Sequence, residues 1–176
     1  MTQQVEKFAE AASQFCAWAE GAPSSAGSEA IAALHHLSTL YQLALALPDV
    51  FAEEEPTEVT HEAWTHIYKR FDTLPFNYYS QCFSPIDSPA ETPVVADLAD
   101  DLADTWRDVK RGLSLFQSGH VNAASWEWRH GFWQHWGHHA AGGIYALHSW
   151  LAERPEVPPN NLFNPMPLRG TGQFRR

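Results

Sequence analysis

Positive charge is scarce in this sequence of 176 residues. Lys and Arg number 11 against 21 Asp and Glu, a net charge of −10 at neutral pH. A chain this acidic has no basic face to lay along a phosphate backbone, so nucleic acid is not an expected partner. Anionic membrane surfaces are excluded on the same ground. Charged residues of both signs make up only 18% of the sequence, against about 25% in an ordinary globular chain. The two cysteines, Cys16 and Cys82, make no disulfide framework, and a reducing, cytoplasmic setting is expected. No apolar run approaches the roughly 18 residues of a membrane span, and Met1-Thr2-Gln3-Gln4 carries no basic signal-peptide start. The P-loop, the dinucleotide fingerprint and the Gly-x-Ser-x-Gly elbow are missing. So are internal repeats, hairpin signals and alternating apolar–polar stretches, which leaves no expected strand.

What is present is a core and an unusual supply of Trp and His. Hydrophobic residues reach 44%, enough for one buried core in a chain of this length. There are eight Trp and ten His; five of the Trp lie between Trp106 and Trp136, and five of the His between His130 and His148. Specific chemistry is therefore expected in the C-terminal half.

The apolar spacing predicts an all-α domain over residues 1–154, an antiparallel bundle of about five helices. Val5, Phe8, Ala12, Phe15 and Ala19 mark one face of a first helix over 3–20, with Thr2 as its cap. Ser28 is expected to cap a second helix to about Leu47, with Ile31, Leu34, Tyr41 and Leu45 on one side and Leu37, Leu40 and Leu43 widening the stripe. The acidic linker Glu53-Glu54-Glu55 leads to a third helix over 57–71, carrying Val59, Ala63, Ile67 and Phe71. An aromatic-rich irregular loop, 72–91, joins helices three and four; Phe76, Tyr78, Tyr79, Phe83 and Ile86 should fold back onto the core. Thr92-Pro93 reads as the start of a fourth helix to Gln117, ended by Ser118-Gly119. The fifth runs from Asn122 to Ala152, with Gly142-Gly143 its expected kink. Trp18, Trp64, Trp106 and Trp133 fit core rows, and Cys16 reads as a buried hydrophobe. Residues 155–176, rich in Pro, Asn and Arg, read as a flexible tail.

At about 100° per residue, Asp97, Asp101, Asp104 and Asp108 of the fourth helix fall within an arc of roughly 60°, with Asp100 at its border. Four like charges on one stripe destabilise a helix without a partner, and Arg107 and Arg111 stand within reach of Asp104 and Asp108. On the fifth helix, His135 and His139 are four residues apart and share a face. A short turn at Gly119 makes the two helices an antiparallel hairpin. Counting outward from it, Asp108 lies opposite about His130, Asp104 opposite His135 and Asp101 opposite His138. Carboxylates and imidazoles at matching heights between paired helices are how bundles hold metal ions.

Two functions compete. The first is a non-enzymatic interaction or adaptor module. Here Asp97, Asp100, Asp101, Arg107, Arg111, Glu127, Tyr78, Tyr79 and Phe83 form the contact surface for a basic protein partner, and docking should weaken with salt. A homodimer through an exposed aromatic patch is a further arrangement that Trp-rich helices allow. The second is a metal-dependent hydrolase in which Asp101, Asp104, Asp108, His135 and His139 hold a divalent ion. No cofactor is established by the sequence; a divalent metal is the one this set could take.

From about Tyr78 to His148 the sequence resembles an uncharacterised bacterial family, domain of unknown function 5063. The resemblance is carried by Asp-Leu-Ala-Asp-Asp-Leu-Ala-Asp at 97–104, Arg107-Asp108, Lys110 and Gly112-Leu113. It continues through Trp126-Glu127-Trp128-Arg129, His135-Trp136-Gly137, His139-Ala140 and Ala146-Leu147-His148. Cys82-Phe83-Ser84-Pro85 stands where the family tends to read Phe-Asp-Pro. The resemblance implies a cytoplasmic helical domain and brings no activity, cofactor or substrate.

Overall fold

In the computed structural model, which describes residues 2–89 and 91–154, every helix contributes residues to one shared core. Val5, Phe8, Ala12, Phe15 and Ala19 of α1 (Thr2–Glu20) are buried to 2% exposure or less, as their spacing predicts. The second helix, α2 (Ala26–Ala44), is capped by Ser25 rather than Ser28. The Ser25 hydroxyl accepts the Ser28 N–H, so Ser28 lies in the first turn. Its buried row is Ala30, Ala33, Leu37, Leu40 and Ala44. The expected side centred on Ile31, Leu34, Tyr41 and Leu45 is its flank, and Leu45 is exposed. Small alanines set that face because they let α2 approach α1 and the C-terminal helix closely. Hydrophobic size alone points to the wrong side.

The third helix, α3 (His61–Arg70), is shorter than predicted. Thr60 caps it by accepting the Ala63 N–H, and residues 57–60 are not helical. Arg70 at its end forms a buried ion pair with Glu29. It also donates to the carbonyls of Trp18 and Gly21, while Glu29 accepts the Ser24 N–H and hydroxyl. This knot ties the end of α1 and the start of α2 to α3.

The segment that follows contradicts two expectations. Residues 72–97 are not a loop running into a helix at Thr92-Pro93. They contain β1 (Tyr78–Gln81) and β2 (Val94–Asp97), an antiparallel pair with Tyr78 opposite Asp97 and Tyr79 opposite Ala96. The β-branched Val94 and Val95 favour extended backbone. Helix α4 (Leu98–Gln117) therefore begins at Asp97, whose carboxylate accepts the N–H groups of Ala99 and Asp100. Phe76 and Tyr79 pack on the core as expected. Tyr78, Phe83 and Ile86 are exposed instead.

Helix α4 is central, packing against α1, α3 and both C-terminal helices. Leu98, Leu102 and Val109 are fully buried and Leu113 nearly so. Gly119, at φ 87°, makes the turn. The predicted long fifth helix is α5 (Val121–Gly131), a π-helical turn (Phe132–Trp136) and α6 (Gly137–Ala152). The irregularity sits there and not at Gly142-Gly143. A Cβ on Gly137 would lie 2.2 Å from the Phe132 carbonyl oxygen, so only glycine accommodates the widened turn. Trp136 turns back to donate its indole N–H to the Trp128 carbonyl, and the Trp128 indole donates to Val109 across the helix pair. These two fully buried tryptophans anchor the core. Trp133, expected inside, is 54% exposed, because the π turn carries it outward. Cys16 is buried as expected, and burial pushes its thiol up to about 12. No described helix is long and apolar enough to cross a membrane. The predicted tail at 155–176 lies outside the described residues.

Candidate functional site

The Asp row of α4 and the His row of the π turn and α6 meet. The heights differ from the predicted ones by unequal amounts: Asp101 faces His139, one residue past His138, Asp108 faces His135 in place of about His130, and Asp104 stays beside His135 and lies near His139 as well. The extra residue taken up by the π turn shifts the count. His135 Nδ1 is 2.8 Å from Asp108 Oδ2, and His139 Nδ1 is 2.8 Å from Asp101 Oδ1. An ionised carboxylate only accepts, so each Nδ1 carries a hydrogen, and in the neutral imidazole each Nε2 presents its lone pair. Both Nε2 atoms stand 3.6 Å from the same oxygen, Asp104 Oδ2. That separation is too long for a hydrogen bond.

The surrounding groups hold this arrangement in place. The Trp64 indole donates to Asp104 Oδ1 at 2.6 Å, and Arg107 Nη2 is 3.1 Å from the same oxygen. Asp104 Oδ2 is thus turned toward the imidazoles. Tyr79 reaches over from β1 and donates its hydroxyl to Asp101 Oδ2 at 2.6 Å. It can do so because Gly142 lacks a Cβ, which would lie 2.4 Å from the Tyr79 oxygen. The Tyr79 hydroxyl is held protonated, its pKa raised by burial and by Asp101. Tyr68 donates to Asp97 at 2.9 Å, and Asp97 itself caps α4. The Tyr68 phenol is pushed up to about 12 by that hydrogen bond.

The electrostatic balance is uneven. Burial pulls the His139 imidazole down, but the Asp101 hydrogen bond and the charges of Asp101, Asp104 and Asp100 outweigh it and raise its pKa. The Asp100 carboxylate is half-buried and has no hydrogen bond or ion pair among the described residues. Burial and the Asp104 charge raise its carboxyl.

The five residues grouped as one ligand set divide by role. One donor atom each from Asp104, His135 and His139 lies within 4.8 Å of the others. Asp101 and Asp108 stand behind the imidazoles as their hydrogen-bond acceptors. The expected contact surface also divides. Asp101 is 5% exposed and Asp97 is engaged in capping, so neither is offered to a partner. Arg107 pairs with Asp104 and Asp108, and Arg111 with Glu127. Tyr79 points inward, while Tyr78 and Phe83 are exposed. The sequence pattern puts Trp64 in a core row and Tyr79 both on the core and on the contact surface, and gives no sign that both donate into the site. Only their polar tips could have signalled it.

The fold and this cluster define an all-α bundle whose central antiparallel pair encloses a carboxylate–imidazole site. The model of the family "Domain of unknown function (DUF5063)" matches residues 1–153, and the chain belongs to that family. The match takes in the N-terminal helices beyond the 78–148 segment. The crystal structure of protein BF1032 from Bacteroides fragilis is similar in fold, with a TM-score of 0.70 at 24% identity over 84% of this chain and 91% of that one. No curated protein matches the sequence.

Proposed function

We propose that this domain binds one divalent first-row metal ion through Asp104 Oδ2, His135 Nε2 and His139 Nε2. One observation carries the reading. Two imidazoles, each fixed through Nδ1 on its own carboxylate, aim their free nitrogens at one shared oxygen from beyond hydrogen-bond reach. Ligands around a tetrahedral ion sit roughly 3.3–3.6 Å apart, given metal–ligand bonds of about 2.0–2.2 Å. The two Asp104–imidazole separations of 3.6 Å need to close by at most a few tenths of an ångström, and the three ligand atoms all lie within 4.8 Å of one another. Carboxylates behind ligating histidines fix ring orientation and tautomer in metal sites, which is the part Asp101 and Asp108 play here. Two imidazoles and one carboxylate suit Zn²⁺, Fe²⁺ or Mn²⁺ better than Mg²⁺ or Ca²⁺, which favour all-oxygen sets. With three protein ligands, positions stay open, and such an ion would act as a Lewis acid, the basis of the hydrolase alternative.

The chain purified without a His-tag or chelator should carry, or take up from added Zn²⁺ or Mn²⁺, one ion per molecule by elemental analysis. His139→Ala and Asp104→Asn should lose it while keeping their helical circular dichroism. No stoichiometric ion, or equal uptake by both variants, would overturn the reading.

A second reading, a protein-docking module, draws on the exposed Tyr78, Phe83, Ile86 and Val95 of the hairpin segment. The acidic stripe contributes less to it than its sequence suggests, being largely paired inward. A basic partner would be captured through that segment, and Phe83→Ser with Ile86→Ser should abolish capture. A cytoplasmic location belongs to either reading and rests on two cysteines that are both free.

A further inference from the structure

Beside the cluster, α4 and the start of the C-terminal helical rod frame an open groove of about 540 Å³. Its lining includes Arg107, Asp108, Arg111, Trp126, His130 and His135. Three of these, Arg107, Asp108 and His135, belong to the cluster as well. His135 is a proposed ligand with 39% of its side chain exposed, and Arg107 touches Asp104. Arg107 and Arg111 are one turn apart on α4 and face the same groove. Arg107 Nε lies 3.7 Å from Asp108 and Arg111 Nε 3.0 Å from Glu127, ion pairs by distance, and the buried Arg111 Nε–H makes no hydrogen bond among the described residues. Arg107 spends Nη2 on Asp104, and Arg111 Nη2 lies 3.9 Å from the largely exposed Glu58. Neither Nη1 has a hydrogen bond or ion pair among the described residues. Trp126 and His130 stack at 4.7 Å and 5° to give the groove a flat wall.

Resting on the metal reading, we infer that this groove binds an oxyanion, a phosphate or carboxylate group, between the ion and the free guanidinium donors of Arg107 and Arg111. Planar guanidinium forks match the geometry of both groups. A divalent ion at the triad adds two positive charges at the end of the groove where Arg107 already stands. Without the ion, Asp104, Asp108 and Glu127 offset the two arginines, so anion binding should require metal.

The test uses the full chain loaded with one Mn²⁺, titrated calorimetrically with inorganic phosphate and separately with acetate. At least one anion should bind the loaded chain, and should bind the metal-free chain at least tenfold more weakly. Arg111→Gln should retain the ion yet lose at least tenfold in anion affinity, and Arg111→Lys should recover part of it. Stronger binding of phosphate than acetate assigns a phosphoryl ligand, and the reverse a carboxylate. A chain that holds its Mn²⁺ but binds neither anion would overturn this inference and leave the metal site standing. So would an Arg111→Gln variant that binds as tightly as the parent. A chain that takes up no ion overturns both.

Discussion

Single side chains in this domain carry charge effects of opposite sign. Burial and the neighbouring His35 push His36 down to about 4, so unfolding takes up a proton between that value and its ordinary 6.5. Stability from His36 is full above pH 6.5 and is lost as pH falls toward 4, by roughly 3 kcal/mol. His36→Phe, which keeps a ring against Trp18, should flatten that loss in thermal melts between pH 7.5 and 4.5. His139 behaves in the reverse sense. Its raised pKa gives stability that is full below 6.5 and lost as pH rises through the folded value. A metal ion competes with that proton, so the rise in melting temperature on adding Zn²⁺ should grow from pH 6 to pH 8. Asp101→Asn removes the carboxylate behind His139 and should weaken metal binding by about 10–100-fold. The Arg70–Glu29 pair is structural: Arg70→Ala leaves a buried carboxylate and should cost about 3–5 kcal/mol by urea denaturation.

At the level of elements, the π turn decides whether the two rows can meet. It sets α6 one residue out of step with α5, so Trp128 stays packed on α4 while His139 still faces Asp101. Deleting the exposed Trp133 should restore regular α-helical hydrogen bonding. The flanking helices then keep nearly their present rotation, so His139 still faces Asp101, while His135, inside the turn, is displaced from Asp108. Helical circular dichroism should persist while metal affinity falls. The helices themselves were legible because their apolar rows repeat at 3.6. The π turn was not: no residue in Phe132–Trp136 departs from a helical pattern, and the cause lies in where the Trp136 indole must go. The hairpin escaped for a different reason. Its strands are four residues each, too short for an alternating pattern, and Pro93 mimics a helix start. Asp97 does cap a helix, but Thr92 is the residue whose type suggested it.

Across the whole molecule, the five Asp and His residues were found from their spacing on two neighbouring helices, because a short turn fixes relative height. The division of labour among them was not legible, since it depends on helix rotation and on Trp64 and Tyr79 arriving from elements far away in sequence. The site thereby joins α3, β1, α4 and the C-terminal rod, and an ion there should stabilise them together. At an ion concentration 100 times Kd the gain is about 2.7 kcal/mol, which for a chain of this size is about 5–11 °C in Tm. Calorimetry should show one transition moving upward, with no shift in Asp104→Asn. The Trp64 indole, bonded to Asp104, has one more consequence. Any event that draws electron density from that carboxylate changes the dipole facing an excited indole. The molecule therefore contains its own optical gauge: Trp64→Phe should remove the part of the emission change that tracks occupancy, leaving the other seven tryptophans as a constant background.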